Sequence, residues 1–212
     1  DPPAPGYHQR IDLDHGRIEI AKRAVTGLQR LHRFCELPGP HAERERDLAG
    51  MGTTLTGLVV TDALAHKIVV ANVGDSRTYL WRHGELPQVT KDHSHVQSLV
   101  DRGAITRAEA RVHFQRNIVL RAMGIESYVD VDTFPLDVED GDRFILCSDG
   151  LVDEVADVEI ATVLQQHSDP QETAEALVMV ANANGGRDNT TVIVLDILDD
   201  ISEPIVFDEP DE

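Results

Sequence analysis

Three aspartates adjoin a glycine or lie just after a glycine pair, where strand-like apolar segments begin or end. Asp75 follows KIVVANV in the motif GDSR, Asp149 follows RFILC in SDGL, and Asp188 precedes TTVIVLDI in RDNTT. A neighbouring glycine permits a tight turn with the backbone close by, so the carboxylate projects from a rigid point. Each motif alone is better explained as an ordinary turn between strands. Three together favour a shared carboxylate site, and carboxylate oxygens are the ligands that Mg²⁺ and Mn²⁺ prefer.

The charge of the chain narrows the classes of partner. Asp and Glu number 38 against 19 Lys and Arg, a formal net charge of -19. Nucleic acids and anionic membrane surfaces require clusters of basic residues, so the composition argues against both, and against a nucleic-acid hydrolase that uses the same carboxylates. Most of the acidic residues are expected to form a solvated surface, while a few are candidates for holding divalent cations.

The number of cysteines and the hydropathy of the chain bear on the compartment in which the protein is expected. Cys35 and Cys147 are far apart in the sequence, which excludes a disulfide framework or a cysteine-based zinc site. No apolar run approaches the length of a membrane span, and the N-terminus has no signal-peptide core. We therefore expect a cytoplasmic protein or the intracellular domain of a longer one.

Short β-branched segments and helical periodicity predict the elements that position the three motifs. Strands are predicted at residues 53–61, 67–73 and 77–81, as an antiparallel meander, and at 129–134, 143–147 and 190–197. Helical periodicity is found at residues 18–34, 155–166 and 170–183, and short helices are predicted within residues 91–116. The acidic residues 199–212 are predicted to be a disordered tail. Together these elements predict an α+β domain in which helices cover sheets.

The order and spacing of six segments carry a family resemblance. Residues 50–197 contain GMGTTLTGLVV, VANVGDSRTYLWRHGEL, HVQSLVDRGAIT, HFQRNIVLRAMG, GDRFILCSDGLVDEV and GGRDNTTVIVLDI. This series resembles the bacterial branch of the PPM (PP2C-like) metal-dependent protein serine/threonine phosphatases. The resemblance implies a PP2C-like α-β-β-α sandwich of two antiparallel sheets flanked by helices. It also implies one domain over residues 1–198, with an atypical N-terminal part at 1–49 and a flap at 91–124.

The resemblance assigns roles to individual carboxylates. Asp149 and Asp188 match direct ligands of a centre that holds two Mn²⁺ or Mg²⁺ ions. Asp75 matches an acidic residue beside that centre, often around a third, weaker ion, and Asp153 matches another such position. The implied activity is hydrolysis of phosphoserine and phosphothreonine in proteins, including a cognate Ser/Thr kinase, by a water that the two cations activate. Acidic side chains would orient this water, and no covalent phosphoenzyme would form.

The N-terminal portion departs from the family pattern. Members normally carry an Asp-Gly-x-Gly-Gly segment, whose aspartate bridges both metals, and an N-terminal arginine that binds the substrate phosphate. Residues 1–49 contain neither plainly, so no substrate-binding residue is assigned. In IDLDHG, Asp14 is the nearest candidate for the bridging ligand, although His15 separates it from Gly16. Either the first strands are missing from this sequence, or the chain is a degenerate pseudophosphatase that binds a phosphoprotein or partner without turnover.

Other polar residues of these segments receive structural or open interpretations. His93, His95 and His113 of the flap match no zinc spacing and are expected to be solvated or to face the substrate. Arg77 is expected to pair with a neighbouring carboxylate, and Cys147 to be a core residue rather than a nucleophile. Two further arginines could meet a phosphopeptide, namely Arg116 and Arg121.

Overall fold

Eight strands and five helices are seen in the parts of the chain that the structure describes. The computed structural model describes residues 52–62, 66–125 and 128–198, and the backbone of residues 7–8 and 11–12. The strands are β1 Tyr7–His8, β2 Ile11–Asp12, β3 Leu55–Asp62, β4 Lys67–Val73, β5 Arg77–Trp81, β6 Asp132–Asp137, β7 Arg143–Cys147 and β8 Val192–Leu198. The helices are α1 His95–Asp101, α2 Arg107–Arg111, α3 Asp149–Glu154, α4 Asp157–Gln166 and α5 Pro170–Asn184.

The strands form two sheets. In the larger sheet β7 lies between β5 and β8 and is antiparallel to both, while the short strands β1 and β2 run parallel to β8. In the smaller sheet β4 lies between β3 and β6 and is antiparallel to both. Because successive side chains of a strand point to opposite faces, each central strand can serve two layers at once.

Strand β7 divides its side chains between two cores. Phe144 and Leu146 point into the core between the two sheets, where they meet Ile68 of β4. Ile145 and Cys147 point to the opposite face and pack in the second core. That core is completed by helix residues that include Leu151, Ile160, Leu164 and Leu177. All five residues of β7 are buried. The four apolar ones divide between these two cores, while Arg143 forms an ion pair with Asp196, with Nε–Oδ1 at 2.6 Å.

This layering confirms the predicted α+β sandwich in its described parts. Helices α3 to α5 cover one face of the larger sheet, and the smaller sheet covers the other. The predicted helix at 18–34, the tail at 199–212 and Asp14 lie outside the described residues. Among the residues that are described, no helix is both long enough and apolar enough to cross a membrane.

The predicted meander is wrong at its third strand. Strand β5 pairs with β7 in the larger sheet, with Arg77 opposite Cys147, and not with β4. The reason is burial on both faces, since Tyr79 packs against the helices while Leu80 enters the core between the sheets.

One strand is shifted relative to its prediction, and one helix was not predicted. The strand predicted at 129–134 is found at Asp132–Asp137, so that it continues through Pro135. Strand β6 is an edge strand, where the missing N–H of proline is tolerated, and its Phe134 and Leu136 pack against the inter-sheet core. Helix α3 was not predicted because its six residues are too few to display a helical period.

Candidate functional site

The strand registers bring the three aspartate motifs to one end of the larger sheet, where β5 and β8 begin and β7 ends. Arg77, the first residue of β5, lies opposite Cys147, the last residue of β7, and Cys147 also lies opposite Val192, the first residue of β8. The turn before β5 contains Asp75, the residues after β7 begin helix α3 at Asp149, and the loop before β8 contains Asp188. Antiparallel pairing therefore places these three segments side by side.

Asp75 is held in a buried turn. The preceding Gly74 has φ 104°, a backbone conformation that favours glycine, and a Cβ there would lie 2.3 Å from Thr54 Cγ2. Thr54 Oγ1 lies 2.8 Å from Ser76 Oγ on the other side of Asp75. Burial, followed by the negative charge of Asp149, raises the pKa of Asp75 to about 6. The turn therefore holds a carboxylate that resists ionisation in the metal-free chain.

Asp149 is the first residue of helix α3 and contacts the loop before β8. The adjacent Ser148 N–H donates to Thr191 O at 3.1 Å, and Thr191 N–H donates to Ser148 Oγ at 3.0 Å. Burial, with the charges of Asp188 and Asp153 next in importance, raises the pKa of Asp149. The pKa of Asp149 is thus raised by one carboxylate from the loop before β8 and by one from its own helix. The charge of Asp149 in turn raises the pKa of Asp75.

Asp188 lies in an exposed loop that is anchored through a different side chain. Its Oδ1 accepts a hydrogen bond from Asn189 N–H at 2.7 Å. The preceding Arg187 forms a two-point ion pair with Glu154 of α3, with Nε–Oε1 at 2.7 Å and Nη2–Oε2 at 3.1 Å. Because the Glu154 side chain is only 3% exposed, this pair fastens the loop to the helix that carries Asp149.

The carboxylates of Asp75, Asp149, Asp153 and Asp188 have some, but not all, of the features of a divalent-cation site. The charges of three of them raise the pKa of a neighbouring one, which marks a cluster of negative charge that a cation would relieve. Within the described ranges, however, no three His, Cys, Asp or Glu side chains are placed closely enough to hold a metal ion. Asp14, the predicted fifth ligand, lies outside these ranges. The four described aspartates thus supply part of a metal-ligand set and the negative charge that a cation would balance.

The raised pKa of Asp75 predicts how the metal-free chain responds to pH. An acid with a folded-state pKa above its unfolded value binds extra protons when folded, so the stability it contributes decreases as pH rises from about 4 to 6. We expect Asp75→Asn to raise the melting temperature by about 2–4 °C near pH 7.5, the shift that roughly 1 kcal/mol produces in a domain of this size. Near pH 5 the gain should be smaller. Thermal unfolding of both proteins in a chelator tests this, and equal gains at both pH values would contradict it.

The structural interpretations of Arg77 and Cys147 are confirmed. Arg77 Nε lies 3.0 Å from Asp92 Oδ1, and its Nη2 lies 2.7 Å from Asp92 Oδ2, while Nη1 donates to Tyr79 Oη at 3.0 Å. Cys147 is 3% exposed within the apolar core, and burial raises the pKa of its thiol to about 12. A thiolate nucleophile at this position is therefore excluded.

A cleft lies between the carboxylates and the flap segment, residues 91–124. Its lining includes Asp75, Asp149 and Asp153 together with three arginines of the flap segment, namely Arg107, Arg111 and Arg116. Arg116 Nε lies 3.4 Å from Asp153 Oδ2, and both side chains are about one-third exposed (29% and 32%). Arg121 instead pairs with Asp132 at 2.7 Å, outside this cleft. The lining of the cleft thus combines carboxylates, which suit cations, with arginines, which suit a phosphate.

One histidine of the flap segment was misjudged from the sequence. His93 is neither solvated nor directed at the cleft: its side chain is 8% exposed and hydrogen-bonds to Gly74. His113 stacks on Phe114, with ring centroids 4.7 Å apart. The partners of His93 lie 19 residues earlier and, at Asp132, 39 residues later, so no local sequence signal identifies it.

Comparisons with known proteins agree with this geometry. The profile described as Protein phosphatase 2C matches residues 39–190. A serine/threonine phosphatase stp of Listeria welshimeri is 42% identical over 156 residues, covering 74% of this chain and 61% of that protein. The serine/threonine protein phosphatase PstP of Mycobacterium tuberculosis is 45% identical over 158 residues, 74% of this chain and 30% of that protein. The chain therefore spans about three fifths of the first relative and less than a third of the second.

Solved structures extend the similarity to the fold. A crystal structure of M. tuberculosis PstP superposes with a TM-score of 0.71 at 36% identity, covering 87% of this chain and 84% of that one. The catalytic domain of PstP in complex with two manganese ions superposes with a TM-score of 0.71 at 34% identity, covering 85% of this chain and 80% of that one. The sandwich and its layer order are thus those of solved phosphatase structures.

Proposed function

Since the chain belongs to the protein phosphatase 2C family, we propose that it hydrolyses phosphoserine and phosphothreonine in proteins at a centre of two Mn²⁺ or Mg²⁺ ions. The observation that carries the proposal is the group of four aspartates at one end of the larger sheet, where burial, followed by the charges of neighbouring aspartates, raises the pKa of Asp75 and of Asp149. The PstP catalytic domain, similar in fold, is described with two manganese ions. This similarity supports the choice of metal.

Each side chain has a part in the proposed reaction. When bound, the two cations supply a water of lowered pKa as the nucleophile and neutralise charge on the phosphoryl group. Asp149 and Asp188 would hold the cations, and Asp14 is the candidate for the bridging ligand. Asp75 and Asp153 would provide further negative charge, for a third and weaker ion, and would orient the attacking water. The presence of Asp75, Asp149 and Asp153 in the lining of one cleft supports these roles.

The flap segment supports a protein as the substrate. Beside the basic side chains that face the cleft, it exposes Val112 and Phe114, which are 81% and 84% solvent-accessible, and Leu120 at 58%. Apolar side chains next to a phosphate site suit the residues that flank a phosphorylated serine or threonine better than they suit a small phosphoester. We include among the substrates a cognate Ser/Thr kinase, whose own phosphothreonines present the same chemistry. The buried free thiol of Cys147 supports a reducing cytoplasm.

A phosphothreonine peptide tests the proposal. We expect the chain to release inorganic phosphate with Mn²⁺ and to release essentially none in a chelator, since without cations no water has its pKa lowered and the charge of the phosphoryl group is not neutralised. Phosphate release over time measures this, with the unphosphorylated peptide as the background control. Calorimetry with Mn²⁺ should detect more than one site.

One observation favours a second candidate, a pseudophosphatase. No metal-holding group of three side chains is present within the described residues. A chain that also lacked the bridging ligand would bind a phosphopeptide without turnover. Peptide binding without phosphate release, together with weak binding of a single Mn²⁺, would therefore replace the proposed activity by this alternative.

A further inference from the structure

His93 lies where four parts of the molecule meet. It is the third residue of the flap segment, and its backbone C=O accepts from Leu120 N–H at 2.7 Å, which joins the two ends of that segment. Its side chain contacts the turn before β5 on one side and Asp132, the first residue of β6, on the other. At 8% exposure the imidazole is almost fully enclosed. None of the roles assigned above uses it.

His93 satisfies both backbone polar groups of Gly74. Gly74 N–H donates to His93 Nδ1 at 3.0 Å, and His93 N–H donates to Gly74 O at 2.9 Å. Because Nδ1 accepts a hydrogen bond, the ring proton of the neutral imidazole is on Nε2. Asn72 Nδ2 adds a second donor to Gly74 O at 3.1 Å. The two peptide units that flank the Gly74 Cα are therefore both held by His93: its side chain binds the first, and its backbone N–H binds the second, which leads into Asp75.

The opposite edge of the ring is also held. Nε2 lies 3.1 Å from Asp132 Oδ2, so the ring N–H can donate to this carboxylate. Arg121 Nη1 contacts the other oxygen, Asp132 Oδ1, at 2.7 Å and lies 3.1 Å from Nε2. A carboxylate that accepts from an imidazole N–H fixes the tautomer and the plane of the ring. The acceptor at Nδ1 is thus aimed at Gly74 by contacts that lie away from the cleft.

Thr54 also packs closely against Gly74, since a Cβ on Gly74 would be 2.3 Å from its Cγ2. The turn that contains Asp75 is thus in contact with both Thr54 and His93.

We propose that His93 is a positioning residue for Asp75: by holding the Gly74 peptide it sets the direction of the Asp75 carboxylate and links it to the base of the flap segment. Asp75 is its target, and the consequence for catalysis rests on the proposed function. His93 itself touches neither the substrate nor the reacting atoms.

Two substitutions of similar size separate positioning from general support. His93→Asn places an amide oxygen near the position of Nδ1 and retains an acceptor for Gly74 N–H. His93→Gln places its amide near the position of Nε2, retains a polar group toward Asp132 and loses the acceptor for Gly74. We expect His93→Gln to weaken Mn²⁺ binding roughly tenfold or more, the usual effect of removing a group that orients a metal ligand, and His93→Asn to recover most of this loss.

The exchange of the Gly74 amide provides a readout that needs no turnover. In the metal-free protein, hydrogen exchange followed by NMR should be slow at Gly74 in the wild type and in His93→Asn. In His93→Gln it should be roughly fivefold to tenfold faster, as expected for the loss of one hydrogen bond. His95→Ala is the matched control in the same backbone pairing, since His95 N–H donates to Ile118 O at 2.8 Å. It should leave Gly74 exchange unchanged.

The outcomes distinguish this proposal from the proposed function. Equal Gly74 exchange and equal Mn²⁺ affinity in His93→Gln and the wild type would overturn the positioning role, whatever the activity of the wild type. If the wild type releases no phosphate but Gly74 exchange responds as expected, the proposed activity fails and the positioning of Asp75 stands. Where turnover is present, kcat should fall in His93→Gln while KM for the phosphopeptide changes less, because His93 does not contact the peptide.

Discussion

Replacing Asp149 by asparagine is expected to lower the rate of phosphate release roughly a thousandfold, because the loss of a cation removes several kcal/mol of transition-state charge stabilisation. Asp149 is the common member of the cluster: its charge raises the pKa of Asp75, and the charges of Asp188 and Asp153 raise its own. Asparagine retains the size of the side chain and one oxygen but not the charge. The measurement is kcat/KM for a phosphothreonine peptide at saturating Mn²⁺.

Stability distinguishes a lost ligand from a damaged fold. Since the pKa of Asp149 is raised in the metal-free chain, its ionised form opposes folding, and this effect is present at pH values above the folded pKa. Asp149→Asn should therefore leave the metal-free melting temperature unchanged or slightly higher at neutral pH. Asp137→Asn, at an exposed position on β6 that is paired with Lys67, is the control and should keep the wild-type rate. A variant at Asp149 with undiminished Mn²⁺-dependent rate would remove this residue from the centre.

The ends of three strands, and so the motifs beside them, follow from local sequence. Strands β4, β5 and β7 have the predicted bounds, and the motifs with Asp75 and Asp149 lie directly at strand ends. Asp75, Asp149 and Asp188 meet because β7 pairs antiparallel with both β5 and β8. The three motifs together favour a shared carboxylate site, but the strand pairing that brings them together was not predicted.

What could not be predicted depends on contacts between distant segments. Strand β5 lies in the larger sheet because both of its faces are buried. The sequence of a single strand does not show which sheet provides that burial. The role of His93 depends on Gly74 and Asp132, which its own segment does not contain. Long-range partners of this kind leave no periodicity in the sequence, so a histidine in a polar segment looked solvated.

Helix α3 and the loop before β8 approach each other closely at Gly150. A Cβ at this position would lie 2.4 Å from Asn189 O and 2.9 Å from Asn189 C, and these are backbone atoms that no side-chain rotation can move. Unlike Gly74, Gly150 is required for the space and not for a positive φ. Asp149 and Asp188 stand on the two sides of this contact, so its width sets the distance between the two predicted ligands.

We expect Gly150→Ala to lower kcat/KM roughly a hundredfold, because a displacement of about 1 Å between catalytic groups has an effect of that size. The added methyl must push the loop away from α3 and lengthen the Ser148–Thr191 hydrogen bonds, which are 3.1 and 3.0 Å in the native chain. Overpacking of this kind should also reduce the free energy of unfolding by about 1–3 kcal/mol. The matched control is Gly57→Ala on β3, where a Cβ would meet no atom within 4 Å. Denaturant unfolding and peptide kinetics on both variants measure the two effects. If Gly150→Ala bound Mn²⁺ and turned over peptide as Gly57→Ala does, Asp149 and Asp188 could not share a cation across this contact.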